Sequence, residues 1–293
     1  MKIAIIITVK NEAQAIEKLL ESVISQTKQP DEIIIADAGS TDNTKERIKQ
    51  FQNKLPKLKL INVKGTNRSQ GRNKAIALAK SEIIAVTDAG CTLKNDWLEK
   101  ITRPILANRA DSVAGFYLPE SNSAFSRCTV PFVAVMPNQF NPKTYLPSSR
   151  SIAFTKTAWA SAGKYPRNLN YCEDLIFAKN LKTKTTMIVE PKALVYWQQN
   201  KNLFQFFHQI SRYARGDIQA RYWPHIGKIA TVYLRYLILI AFPLLIPLYL
   251  LFPIIKHAKY IPHPVCLVFL PLFQIATDLA VIHGSISGLI RKK

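Results

Sequence analysis

From Ile3 to Thr8 the chain is an apolar, largely β-branched run, the pattern of a strand buried on both faces. Helical spacing follows after Asn11, with Ile16, Leu19, Leu20, Val23 and Ile24 on one stripe. The alternation then repeats. Ile33 to Ala36, Leu58 to Val63 and Ile83 to Thr87 read as strands. Asn43 to Phe51 and Asn67 to Lys80 read as helices, the first capped by Ser40 or Asp42. Strands alternating with helices predict an α/β domain with a mostly parallel central sheet and right-handed crossovers. In such sheets ligands bind beyond the carboxyl ends of the strands.

Those ends are rich in polar residues. The first strand ends in Thr8-Val9-Lys10-Asn11-Glu12, the second in Asp37-Ala38-Gly39-Ser40-Thr41-Asp42-Asn43-Thr44, the fourth in Asp88-Ala89-Gly90. Neither a G-x-G-x-x-G nor a G-x-x-x-x-G-K-[ST] occurs, which disfavours a dinucleotide fold and a P-loop. A polar ligand fits the residues present. Asp37 can accept hydrogen bonds from a base imide or a ribose hydroxyl. Asp88 can hold a hard divalent cation against phosphate oxygens. Lys10, Arg68 and Arg72 can neutralise those phosphates. The plainer reading is that Asp37 and Asp42 only make turn and cap hydrogen bonds.

Composition narrows the classes. All five histidines lie beyond residue 207, so a His triad or a His-ligated zinc in the N-terminal two thirds is excluded. The four cysteines, Cys91, Cys128, Cys172 and Cys266, form no C-x-x-C pair, against a disulfide scaffold or zinc ribbon. The formal charge of +21 suits nucleic acid or an anionic membrane face. The Lys and Arg residues are spread along the chain with no basic stripe of stacked aromatics, so no nucleic-acid partner is expected.

The C-terminal part favours the membrane. Tyr236 to Ile255 and Val265 to Thr277 carry no charge. The first run is about 20 residues, enough to cross a hydrocarbon core of roughly 30 Å. Pro243, Pro247 and Pro253 predict that it is a kinked helix. The second, to Ile290, is interrupted by Pro271, Asp278 and Gly284. Arg221, Lys228 and Arg235 precede the first run, and Arg291, Lys292 and Lys293 follow the second, which places both ends on the cytoplasmic side. Lys256 and Lys259 in the connection leave a shallow hairpin open. Asn202 to Tyr222 has Leu203, Phe206, Phe207, Ile210 and Tyr213 at helical spacing among His208, Arg212, Arg215 and Arg221. That is the pattern of a basic helix in the headgroup plane, or of one packed on a domain. The expected division is 1–200, 201–228 for the interfacial helix, and 229–293 for two hydrophobic helices. Met1-Lys2 leads directly into the first strand, so no signal peptide is expected.

The three strand-end loops resemble the nucleotide-sugar loops of family 2 glycosyltransferases. Gln70-Gly71-Arg72-Asn73-Lys74-Ala75 resembles that family's A-R-N-x-G helix start, Tyr171-Cys172-Glu173-Asp174 its Glu-Asp motif, and Gln209-Ile210-Ser211-Arg212-Tyr213 the Q-x-x-R-W motif of membrane-associated members. The resemblance runs from about Lys2 to Tyr213. It departs in two places. The usual D-x-D is Asp88-Ala89-Gly90, so the carboxylate that usually ligates the metal is missing, and Tyr213 stands where Trp is usual.

The resemblance implies a GT-A fold and inverting transfer of a sugar from a nucleoside diphosphate sugar to an acceptor hydroxyl. It implies Asp174 as the base, with Glu173 orienting the acceptor or holding a basic residue. Thr8, Lys10, Asn11, Glu12, Asp37, Gly39, Ser40, Asp42, Arg72, Asp88, Ala89, Gly90, Gln209 and Arg212 would bind the nucleotide sugar. A Mg or Mn ion would rest on Asp88 and the phosphates. A membrane anchor suits a lipid-linked or cell-envelope glycan acceptor at the cytoplasmic membrane face. A sugar nucleotidyltransferase on a related fold is the competing enzyme reading, but it usually has a glycine-rich basic loop after the first strand, and Thr8 to Glu12 has no glycine. A basic nucleic-acid-binding protein ranks below both.

Overall fold

The computed structural model describes residues 1–136, 139–199, 202–257, 261 and 264–290. Lys259, Arg291, Lys292 and Lys293, whose charges bear on membrane orientation, lie outside the described residues. The chain divides into two compact units, 1–118 with 141–198, and 119–140 with 199–293. This division is not the linear one expected from the sequence, because residues 119–140 leave the first unit for the second.

In the first unit, strands β1 (Ile3–Val9), β2 (Glu32–Asp37), β3 (Leu58–Asn62) and β4 (Ile83–Asp88) run parallel in the order β3-β2-β1-β4. Helices α1 (Ile16–Ile24), α2 (Thr44–Phe51) and α3 (Arg68–Leu78) make the connections. Successive β1 residues serve opposite faces. Ile3, Ile5 and Ile7 pack with the α1 and α2 side chains Leu19, Val23 and Ile48, while Ala4 and Ile6 pack with Ala75 and Ile76 of α3. Both faces are covered, which explains a strand with no polar alternation.

The rest of the sheet includes antiparallel pairs. After β5 (Cys91–Leu93) and α4 (Trp97–Leu106) come β6 (Ser112–Glu120), β7 (Ile152–Thr155), α6 (Lys156–Ser161), α7 (Glu173–Lys184) and β8 (Met187–Gln198). β7 pairs antiparallel with β4 and β6, and β8 antiparallel with β5. Among the described residues the sheet has eight strands, in the order β3-β2-β1-β4-β7-β6-β8-β5. It is therefore mixed, and the helix-crossover rule accounts only for its first half. Register then sets the functional edge: Thr8 pairs with Asp88, Val9 with Asp37, and Asp37 with Asn62.

The second unit is helical: α5 (Ala124–Val133), α8 (Leu203–Gln219), α9 (Trp223–Ala241), α10 (Ile246–His257) and α11 (Cys266–Ile290). Its core gathers Cys128, Phe206, Ile210, Leu270 and Phe273. α8 and α11 approach closely, since a Cβ on Gly284 would lie 2.1 Å from the Ser211 carbonyl oxygen. The apolar face of α8 is thus largely taken by its own unit, with Phe206 fully buried and Phe204 72% exposed. A single kinked helix over Tyr236 to Ile255 does not form. The chain bends by 117° between α9 and α10. Pro243 opens a short 3-10 turn, and Phe242 before it leaves the helical region, φ −132° and ψ 74°.

Asp278, which interrupts the apolar pattern in sequence, is 1% exposed. It accepts hydrogen bonds from Arg235 Nη1 at 2.6 Å, the Tyr249 hydroxyl at 2.9 Å and Gln274 Nε2 at 3.0 Å, joining α9, α10 and α11. Over Leu267–Ile290, α11 is long and apolar enough to cross a membrane, and α9 with α10 passes the same test only as a bent pair.

Candidate active site

The β1 and β2 ends are tied together by short polar side chains. Asn11 adopts a left-handed conformation, φ 57°, which asparagine tolerates better than most residues. Its backbone N–H donates to Ser40 Oγ at 2.9 Å, and its Oδ1 accepts from the Thr41 N–H at 2.9 Å. The Glu12 N–H donates to Thr44 Oγ1 at 2.8 Å and the Ala13 N–H to Asp42 Oδ2 at 3.2 Å. Asp42 Oδ1 also accepts from the Thr44 N–H at 3.1 Å. Gly39 has φ +97°, and a Cβ there would lie 3.0 Å from Lys64 Cγ, so the turn needs glycine.

Asp37 differs from the expectation of a carboxylate open to a base. It is fully buried, with Oδ1 accepting from the Ser40 N–H at 2.9 Å and the Ser40 hydroxyl at 2.6 Å, and Oδ2 3.2 Å from Lys45 Nζ. In this structure Asp37 and Asp42 both hold the turn, as the plainer reading has it. Lys10 is exposed, and Thr8 and Glu12 are half-buried. Burial pushes the Glu12 carboxyl up, with Asp88 and Asp42 adding to the shift and Arg68 opposing it.

The start of α3 lies beside these loops. Asn67 and Gln70 cap it reciprocally. A Cβ on Gly71 would make ordinary contact with Thr8 Cγ2 at 3.4 Å, so the start of α3 lies close against the end of β1. The next residue, Arg72, is 2% exposed. Its Nη2 donates to Asp88 Oδ1 at 2.7 Å and its Nη1 to Glu173 Oε1 at 2.8 Å. The expected phosphate-neutralising role therefore gives way to another: one guanidinium joins the end of β4 to the start of α7. Asn73 anchors the loop before α7, donating from Nδ2 to the Tyr165 carbonyl at 2.8 Å and accepting at Oδ1 from the Tyr165 N–H and Trp159 Nε1. Trp159 is thus a core residue.

Cys172 precedes α7 in a left-handed conformation, φ 64°, which is strained for a non-glycine residue. Glu173 is buried and Asp174 half-buried. Burial and the adjacent Asp174 push the Glu173 carboxyl up, against the pull of Arg72. Burial also opposes ionisation of Asp88, but Arg72, Arg150 and Arg68 outweigh it and hold that carboxyl below the usual range. Asp174 charge also acts on Arg72 and Tyr165, so it belongs to the same neighbourhood.

The sequence motifs do not mark Arg150 as a site residue. Its guanidinium lies 3.7 Å from the Trp197 ring centroid and 5.0 Å from that of Tyr117. Trp197 also borders Gly90, since a Cβ on Gly90 would lie 3.9 Å from Trp197 Cδ1. Ala89 is buried and Gly90 half-buried, its carbonyl accepting from the Gln198 N–H at 3.1 Å. Gln209 and Arg212 belong to the second unit, where Gln209 Nε2 donates to the Tyr213 hydroxyl at 2.7 Å and Arg212 is exposed.

A divalent cation does not fit these residues as a protein-built site. Asp88 is the one carboxylate of its turn, its Oδ1 is engaged by Arg72, and three arginines act on its charge. Among the described residues no group of three or more His, Cys, Asp or Glu is placed to hold a metal.

Residues 4–146 match the family described as glycosyl transferase family 2. The chain carries a family 2 glycosyltransferase domain. Glycosyltransferase AglE of Haloferax volcanii is 34% identical over 131 residues, 43% of each chain. A cholesterol galactosyltransferase of Borreliella burgdorferi is 27% identical over 118 residues, 40% of this chain and 33% of that one. The chain thus spans under half the length of these curated relatives. The family 2 domain has the GT-A-like fold of solved neighbours. Mannosyltransferase PcManGT of Pyrobaculum calidifontis, solved with GDP-Man and Mn2+, superposes with a TM-score of 0.71 at 17% identity, covering 100% of this chain and 88% of that one.

Proposed function

We propose that this chain is an inverting glycosyltransferase that moves a sugar from a nucleoside diphosphate sugar to an acceptor hydroxyl. The observation that carries the reading is the Asp88–Arg72–Glu173 ion-pair relay, which fixes the first helical turn of α7 to the end of β4. In this reading the donor lies along the β1, β2 and β4 ends, with Lys10 and Arg68 offered to its diphosphate.

Asp174 is the base. It takes the proton of the acceptor hydroxyl as that oxygen bonds to the anomeric carbon. The bond from that carbon to the diphosphate oxygen breaks, and its electron pair leaves with the diphosphate. Glu173 and Arg72 are positioning residues: they set the α7 start and so the place of Asp174. Because Glu173 is engaged by Arg72, its role is the holding of a basic residue. A sugar nucleotidyltransferase gains no support from the β1 turn, which holds side chains against one another instead of offering a glycine-rich phosphate loop.

The acceptor in this proposal is a lipid-linked or cell-envelope glycan at the cytoplasmic membrane face. The second unit supports membrane association. Leu244 is 93% exposed, and Leu237, Ile240, Leu248 and Ile255 are exposed as well, a larger apolar surface than soluble chains normally leave open. The family 2 relative named for cholesterol galactosyl transfer acts, by that name, on a lipid. A thermal-shift screen of UDP-, GDP- and dTDP-sugars, followed by transfer assays with membrane lipid extracts, tests the proposal. A specific donor with transfer to the lipid fraction is the expected result. Pyrophosphate release from a nucleoside triphosphate would replace it with the nucleotidyltransferase reading.

A further inference from the structure

The resemblance and the solved neighbour both lead to a bound divalent ion, and the residues here do not assemble a site for one. Gly90 occupies the place of the second carboxylate, and one of the two Asp88 oxygens, Oδ1, is paired with Arg72 at 2.7 Å. The same corner is instead crowded with arginine. Arg150 lies over the Trp197 ring at 3.7 Å, with Tyr117 at 5.0 Å, and Trp197 borders Gly90. Arg68, at the first turn of α3, is exposed.

Resting on the donor reading above, we infer that Arg150, with Arg68, meets the charge of the donor's diphosphate where a metal ion would otherwise stand, and that donor binding needs no metal. A nucleoside diphosphate sugar brings two negative phosphates to a corner where Asp88 at the end of β4 meets Glu173 and Asp174 at the start of α7. A cation is required, and an arginine stacked on two aromatic rings supplies it in a fixed place. Stacking engages the faces of the guanidinium, whereas recognition of phosphate oxygens uses its in-plane N–H groups, so the two are compatible. The long 3.4 Å contact from Arg150 Nη1 to Ser148 Oγ lies on the same guanidinium. As the diphosphate leaves, it gains the electron pair of the broken bond, and the arginine charge stabilises it without ligand exchange.

Calorimetric titration of the full chain with UDP and with GDP, in chelator and in excess Mn2+, tests this without relying on turnover. One nucleotide should bind in chelator, and Mn2+ should change its affinity by less than about threefold. Arg150→Met should weaken binding in chelator by about tenfold or more, the size of one charge-assisted contact. Arg150→Lys should retain part of it. Gly90→Asp restores the second carboxylate: its binding should weaken in chelator and recover with Mn2+. A melting temperature close to that of the parent shows that a variant is folded, and if Arg150→Met fails this check the Gly90→Asp arm decides. Parent binding that requires Mn2+, with Arg150→Met or Gly90→Asp behaving like the parent, overturns the inference while the donor reading stands. Binding of neither nucleotide in either condition overturns the donor reading and the inference with it.

Discussion

Two buried arginine–carboxylate clusters hold the two units of this chain, and they are built in opposite proportions. In the helical unit three donors, Arg235, Tyr249 and Gln274, converge on one carboxylate, Asp278. In the sheet unit one guanidinium, Arg72, is shared between two carboxylates, Asp88 and Glu173, and a third, Asp174, follows in the chain. A carboxylate with three donors is satisfied and serves as a pin between helices. Burial, with Asp174 beside it in the chain, raises the proton affinity of Glu173 against the pull of Arg72. Charge in a buried corner is costly unless it is paired or neutralised. The helical cluster thus centres on one carboxylate, whereas the sheet cluster links several, with Arg150 and Arg68 also acting on Asp88.

The largest expected effect falls on the carboxylate outside the ion-pair relay. Asp174→Asn should lower transfer by about 10²–10⁴-fold with donor affinity unchanged, read as single-turnover rate against calorimetric binding. Full activity would remove Asp174 from the chemistry. Arg72→Met leaves Glu173 and Asp88 without their shared partner and should destabilise the sheet unit by about 3–5 kcal/mol, measured by denaturant titration. If the sheet unit tolerates it, the relay is not what holds α7 to β4.

Asp278→Asn keeps an acceptor for Tyr249 and Arg235 and removes the charge, so its cost should be smaller, about 1–3 kcal/mol, read as thermal unfolding in detergent. An equal or larger loss than for Arg72→Met would reverse the comparison.

The smallest effect is one of pH. The Glu173 carboxyl is raised, so the folded state keeps its proton longer than the unfolded chain, and stability should decline as pH rises from about 4.3 through the folded value. Asp88 is lowered, so its contribution is present above about pH 3.9 and is lost as pH falls through the folded value. Denaturation midpoints across pH should show Glu173→Gln flattening the first trend and Asp88→Asn the second.

How much of this is legible without coordinates varies with distance along the chain. The strands β1 to β4 and the helices between them follow from apolar spacing, with ends shifted by a residue or two. The polar turns after β1, β2 and β4 are found in the same way, because the carboxyl ends of parallel strands share an edge. Which turn residues face a ligand is not. Asp37 looks like a base-binding carboxylate and closes its own turn on Ser40 and Lys45. Arg72 looks like a phosphate ligand and is locked between carboxylates 16 and 101 residues away. Arg150 carries no motif and comes to the site through the antiparallel return of β7 and β8.

Periodicity and turn chemistry, read from neighbours within a few positions, were enough to determine the parallel half of the sheet, the polar edge above it and the apolar C-terminal helices, because backbone hydrogen bonding and side-chain spacing are local constraints. The partner of each buried charge, the transfer of residues 119–140 to the helical unit, the packing of α8 on α11 and the 117° turn after α9 were decided only by the folded chain. Burial makes an unpaired charge or an uncovered apolar face expensive, and which groups relieve that cost depends on segments brought together from far apart in the sequence.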